Sequence, residues 1–171
     1  MGEAIKATLR GNRVTIPLKT GESLRQKGYG VRRRRRLVLE PPEAFYLVNK
    51  GTLEIFDGCG ERIPSSELFD RFRRRDGRLF TRYVIYRDLR ERGYLVGRGV
   101  GRTTDFTVSG RGGADLYIVG INEGEPVPIA RVSRVMAMAE GRDKSVVVAI
   151  VNRQGEVVYY SLGGWFPRSV P

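Results

Sequence analysis

Histidine is absent from all 171 residues. The side chain most suited to proton transfer near neutral pH, and the commonest metal ligand, is therefore missing. A single cysteine, Cys59, excludes an internal disulfide and cannot build a zinc site alone. Lysine is confined to Lys6, Lys19, Lys27, Lys50 and Lys144. No apolar run approaches a membrane span, and no signal-peptide pattern surrounds Glu3 and Lys6. A cytoplasmic protein with no membrane association is expected. Any proton-transfer chemistry must rest on carboxylates, tyrosine, Lys144 or Cys59.

What the chain has in excess is arginine. Lysine and arginine total 31 against 19 acidic residues, a formal charge of +12. Such an excess points to a polyanionic partner, RNA or DNA first, and arginine suits bidentate phosphate contact and stacking on bases. A thermophile's charge-rich surface accounts for the same composition. With 40% hydrophobic residues, the length allows one domain or two small ones.

The central stretch is Phe80–Val96. Val84, Ile85 and Leu89 form the apolar face of a helix on which Tyr83, Tyr86 and Arg90 also recur. Gly93 stands where a helix closes in a left-handed residue, and Tyr94-Leu95-Val96 follows as a strand. Upstream, alternation around Gly11-Asn12 predicts two short strands, and residues 20–30 read as a loop. Arg32, Arg33, Arg34, Arg35 and Arg36 form an unbroken run before Leu37-Val38-Leu39. It is a phosphate grip, a targeting tract, or a solvated strand or loop. Pro41-Pro42-Glu43 opens a helix that Gly51 closes, Leu53–Phe56 is a strand, and Ser65 or Ser66 caps a further helix. Asp76-Gly77 breaks that helix and marks the expected boundary between domains 1–78 and 79–171.

Past the central helix, Gly97, Arg98, Gly99, Gly101 and Arg102 read as a glycine-rich loop without a Walker or dinucleotide setting. Asp105–Ser109 and Leu116–Ile121 are strands joined through Gly110–Gly113. A helix spans about Ile129–Glu140, with Ile129, Val132, Val135, Met136 and Ala139 as its buried stripe. Ser145–Val151 lacks polar alternation and is expected to be covered on both faces. Val157, Val158, Tyr159 and Tyr160 form a last strand. The fold class is α/β (α+β): a small mixed N-terminal domain, then a mixed sheet flanked by helices.

From about Leu37 onward the chain resembles the archaeal tRNA-intron splicing endonucleases. Pro42–Val48 with Gly51, Tyr83-x-x-Tyr86-Arg87-Asp88-Leu89-Arg90-x-Arg92-Gly93-Tyr94 and Asp105-Phe106-x-Val108-x-x-Arg111-Gly112 carry the likeness. So do Leu116–Val119, and Val148–Val151 with Gly155 and Tyr159-Tyr160. The resemblance implies a nuclease-like C-terminal domain and metal-free cleavage of bulge-helix-bulge precursor RNA, with no cofactor. A 2′-hydroxyl attacks the adjacent phosphate and leaves a 2′,3′-cyclic phosphate. A tyrosine acts as base, a histidine as acid, and a lysine offsets charge.

At the positions matching those roles stand Ser109, Ala114 and Lys144, or Ser145 if the register shifts by one. Tyrosine and histidine are thus missing, so the resemblance is to a non-catalytic subunit. Such a subunit works with a catalytic endonuclease partner in a two-plus-two heterotetramer on precursor tRNA. The strand Val157–Tyr160 would pair with the partner, and Glu123 and Glu125 would join two dimers. A stand-alone RNA-binding protein that kept the fold is the alternative. A metal nuclease built on Asp105, Asp115 and Glu123 lacks paired ligand spacing.

Overall fold

The computed structural model describes residues 4–101, 103–109, 115–127, 129–142 and 144–162. The chain divides into two compact units, residues 1–86 and 87–171.

In the first unit, β1 (Ile5–Arg10) and β2 (Arg13–Pro17) form a hairpin about Gly11, whose φ of +62° suits the first central position of a tight turn. The segment 20–30 is a loop only over its last four residues: α1 spans Leu18–Gln26. Gly21 misled the sequence reading because it serves packing rather than turning. A Cβ there would come within 3.2 Å of Ile16 and Leu37, so the missing side chain lets α1 lie close on the sheet. β3 (Val31–Arg33) and β4 (Arg36–Leu39) make a second hairpin.

Next comes α2 (Pro41–Asn49), opened by a reciprocal capping box between Glu40 and Glu43. It leads to β5 (Leu53–Phe56), which pairs parallel to β1. The resulting mixed sheet runs β3-β4-β2-β1-β5. Its core is Val14, Ile16, Leu37, Leu39, Leu53 and Ile55, all buried beneath α1 and α2. Helix α3 (Ser65–Arg73) has Pro64 at its cap, with no side-chain capping bond from either serine. Ser65 instead donates its hydroxyl to Asn49 Oδ1 at 3.0 Å.

The central helix is α4 (Leu79–Glu91), and Gly93 follows it at φ +87°. Its tyrosines fasten its first turns to α2. Tyr83 packs edge-on against Phe45 and accepts a hydrogen bond from Asn49, and Tyr86 donates to Glu43 Oε1 at 3.1 Å. Glu43 is buried, and the Gly30 amide also donates to it, so its carboxylate ties three segments together.

The second unit holds β6 (Leu95–Arg98), β7 (Phe106–Ser109), β8 (Asp115–Asn122), α5 (Ile129–Glu140), β9 (Ser145–Val151) and β10 (Val157–Ser161). The sheet order is β10-β9-β8-β7-β6, with β8 and β9 parallel and the other pairs antiparallel. Gly97 and Arg98 belong to β6 rather than to the predicted loop. Gly99 lets the chain pass within reach of the Thr104 carbonyl, where a Cβ would clash at 2.1 Å. The apolar stripe of α5 is narrower than predicted. Val135 and Ala139 are buried against Tyr117, Val119 and Val146, but Ile129 in the first turn is 82% exposed. β9 lies between β8 and β10, and from Val146 to Val151 its residues are buried or half-buried on both faces, as its unbroken apolar run requires. Gly110–Ala114, which include the turn of the predicted hairpin, lie outside the described residues. No described helix is long and apolar enough to cross a membrane.

Candidate functional site

Two of the three positions singled out as degenerate meet at one end of the C-terminal sheet. Ser109 ends β7 directly opposite Asp115, the first residue of β8, and Lys144 immediately precedes β9. Ser109 Oγ donates to Asp115 Oδ1 at 2.6 Å, while Lys144 Nζ donates to Asp115 Oδ2. Asp115 is therefore the hub. Its two oxygens take a hydroxyl and an ammonium, and those partners, Lys144 first, hold its carboxyl below the usual range.

A serine hydroxyl aimed at such a carboxylate has no effective base beside it, and the lysine's charge is spent locally. Adjacency to the strand end was the one sequence signal for Asp115; its bridging role needed the register of three strands. Asp105, the other carboxylate considered for metal, is buried. It accepts from the Gly120 amide at 2.8 Å and from Arg131 at 3.2 Å, so it braces β7, β8 and α5. No cluster able to hold a metal ion occurs among the described residues.

The proposed interface residues separate by face. Tyr159 turns toward α4: its hydroxyl donates to Asp88 Oδ2 at 2.7 Å and Arg92 stacks 5.5 Å from its ring centroid. Burial, and then the Asp88 carboxylate, push its phenol well above the ordinary range. Val157 shares that face. Val158 and Tyr160 point to the other side of β10 and are 51% and 54% exposed. Their strand is the outer one of its sheet. In the turn after β8, Glu125 accepts from the Asn122 side chain at 2.9 Å, whereas the Glu123 carboxylate has no partner among the described residues.

The arginine run is a hairpin rather than a linear tract. Arg32 and Arg33 end β3, Arg34 and Arg35 form the turn, Arg36 opens β4, and all five are exposed. Strand alternation sends Arg33 and Arg36 to one face and Arg32 to the other. Arg34 has φ +53°, the only left-handed non-glycine among the described residues.

Comparison with known proteins places this geometry in context. Residues 5–69 match the family described as tRNA intron endonuclease, N-terminal domain, and residues 79–159 match tRNA intron endonuclease, catalytic C-terminal domain. The chain is 34% identical over 167 residues to a tRNA-splicing endonuclease of Methanococcus maripaludis, covering 94% of each chain. It is 35% identical over 167 residues to that of Methanococcus vannielii, again covering 94% of each. A tRNA-splicing endonuclease of Pyrococcus abyssi is 30% identical over 166 residues, covering 95% of this chain and 97% of that one.

Proposed function

The chain belongs to the tRNA intron endonuclease family, and from that premise we propose that it is the structural, non-catalytic subunit of a heteromeric enzyme. The observation that carries the reading is the closed Ser109–Asp115–Lys144 network. Where the family's chemistry calls for a tyrosine base, a serine donates to a carboxylate of lowered pKa, which is a poor proton acceptor near neutral pH. Where it calls for a histidine acid, the sequence has Ala114. A catalytic subunit supplies both groups, and this chain supplies assembly and RNA contact on precursor tRNA in the cytoplasm. Residues 1–78 and 79–171 act as its two domains.

The test is cleavage of bulge-helix-bulge RNA. This chain alone yields no 2′,3′-cyclic phosphate, and addition of a catalytic subunit from the same genome restores it. Metal-independent cutting by this chain alone overturns the proposal.

The outer strand β10 is the proposed contact with that subunit, because an exposed apolar edge invites pairing. Val158 and Tyr160 are the side chains free to take part, since Tyr159 is engaged with Asp88. Val158→Asp with Tyr160→Asp dissociates the heterodimer in analytical ultracentrifugation. Glu123→Lys with Glu125→Lys leaves the dimer and halves the two-plus-two tetramer. An intact heteromer after the strand change removes β10 from the interface.

A further inference from the structure

The N-terminal sheet has one face under α1 and α2 and another turned away from them. On that second face, cross-strand register sorts the side chains into three rows. Arg10 stands opposite Arg13. The next row along the strands is Phe56, Thr8, Thr15, Val38 and Val31. Beyond it come Glu54 and Lys6 on one side and Pro17, Arg36 and Arg33 on the other. An uncharged band is thus bracketed by cations. At two residues of strand per step the rows lie roughly 6.5 Å apart, and at the usual strand spacing five strands make the band about 19 Å long.

The cations are not consumed within the protein. Among the described residues none of Lys6, Arg10, Arg13, Arg33 and Arg36 pairs with a carboxylate, and Glu54 is taken by Arg62 at 3.1 Å. Arg36 lies over Thr15, its Nη1 3.5 Å from the hydroxyl. At one end of the band, Lys6, Thr8, Arg10, Phe56 and the Asp57–Gly60 turn line an open hollow of about 690 Å³. Phe56 is partly exposed there, with Lys6 Nζ 6.0 Å from its ring centroid. The Asp57 carboxylate is turned onto its own loop, accepting from the Cys59 and Glu61 amides at 2.8 and 2.9 Å.

We propose that this face binds single-stranded RNA, with phosphates on Arg10, Arg13, Arg33 and Arg36 and a base stacked on Phe56. Rows of cations flanking an apolar and hydroxyl-bearing band match a strand whose phosphates lie outside and whose bases lie flat. A rigid duplex would meet a flat sheet along one ridge and leave one basic row idle. That the polyanion is RNA rests on the family reading above; the surface itself does not depend on the missing catalytic groups.

Fluorescence anisotropy of the full chain with a short unstructured RNA tests the proposal. Arg10→Gln with Arg13→Gln, and separately Arg33→Gln with Arg36→Gln, each weaken binding about tenfold and flatten the log–log salt slope by about 1.4, two contacts at about 0.7 each. Phe56→Leu weakens binding about fivefold or more and leaves the slope unchanged. Arg73→Gln with Arg74→Gln, the same charge change at the exposed C-terminal end of α3, changes affinity less than about twofold. Circular dichroism melts confirm that the variants fold.

Equal losses from the α3 and sheet variants would reduce the effect to net charge and overturn the site. So would unchanged affinity, tighter binding to a duplex of equal length, or a preference for acidic phospholipid vesicles over RNA. Heteromer formation is measured separately by sedimentation. A chain that binds RNA on this face but joins no catalytic subunit supports the site and removes the subunit reading.

Discussion

At the Ser109 end of the C-terminal sheet, a lysine, a carboxylate and a hydroxyl satisfy one another, whereas on the open face of the N-terminal sheet five cations have no carboxylate partner among the described residues. The Tyr159–Asp88–Arg92 cluster on β10 and α4 belongs with the first kind. A charge matched inside its own unit offers little to a ligand, because leaving its partner costs what a new contact returns. An unmatched surface cation attracts polyanions at no such cost and is screened only by salt. The positions proposed to match the family's reaction site lie in the first kind of region, and the surface proposed for RNA lies in the second.

The comparison breaks most visibly if the open face is given its own partner. Arg10→Glu converts the cross-strand Arg10–Arg13 pair from like to opposite charge. RNA affinity should fall roughly 30-fold, about 2 kcal/mol, while stability rises by about 0.5 kcal/mol. Anisotropy and thermal melting of one sample read both. Equal affinity would show that the face is idle.

Removing a matched group has the opposite signature. Tyr159→Phe loses the hydrogen bond to Asp88 and should destabilise by about 1 kcal/mol, with RNA affinity unchanged. The pH dependence carries a sign. The folded phenol titrates above its unfolded value of 10.0, so its contribution is present below pH 10 and declines as pH rises beyond it. The phenylalanine variant should lack that alkaline decline in a series of melts.

Arg34 sharpens the contrast between the two hairpins. Gly11 takes the left-handed turn position without strain, and Arg34 takes its counterpart with a side chain. Arg34→Gly should stabilise by about 0.5 kcal/mol, the left-handed penalty less glycine's greater unfolded entropy. Weaker RNA binding alongside that gain would show that the strain serves the ligand; a gain without weakening would assign the arginine to neither.

The smallest effect is expected at Asp115. Asp115→Asn should lower the melting temperature slightly above pH 3.8, the unfolded carboxyl value, where the ionised folded group contributes fully. That contribution fades as pH falls through the lower folded value, so wild type and variant should converge in acid. In the reconstituted enzyme the same change should leave cleavage within about twofold.

Much of this fold was legible in local pattern. The helix at Leu79–Glu91 with its glycine stop and α5 at Ile129–Glu140 follow from periodicity, and β9 from an apolar run without polar alternation. Residues 20–26 were misread as loop because glycine has two uses, and Gly21 is the packing one. Ile129 was misassigned to the buried stripe because periodicity identifies a helix face and not how far a neighbour extends along it.

The sequence by itself determined that no histidine can act here and that the chain is strongly cationic, and the resemblance implies that Ser109 and Ala114 stand where tyrosine and histidine are called for. These are properties of residue identity and need no coordinates. Only the tertiary structure decided that Asp115 bridges Ser109 and Lys144, that Tyr159 turns inward while Val158 and Tyr160 remain exposed, and that Arg10, Arg13, Arg33 and Arg36 share one face. Each depends on register between strands distant in sequence. A shift of one residue in that register would send every side chain of a strand to the opposite face, and no single strand's sequence names the residue it faces on a distant strand.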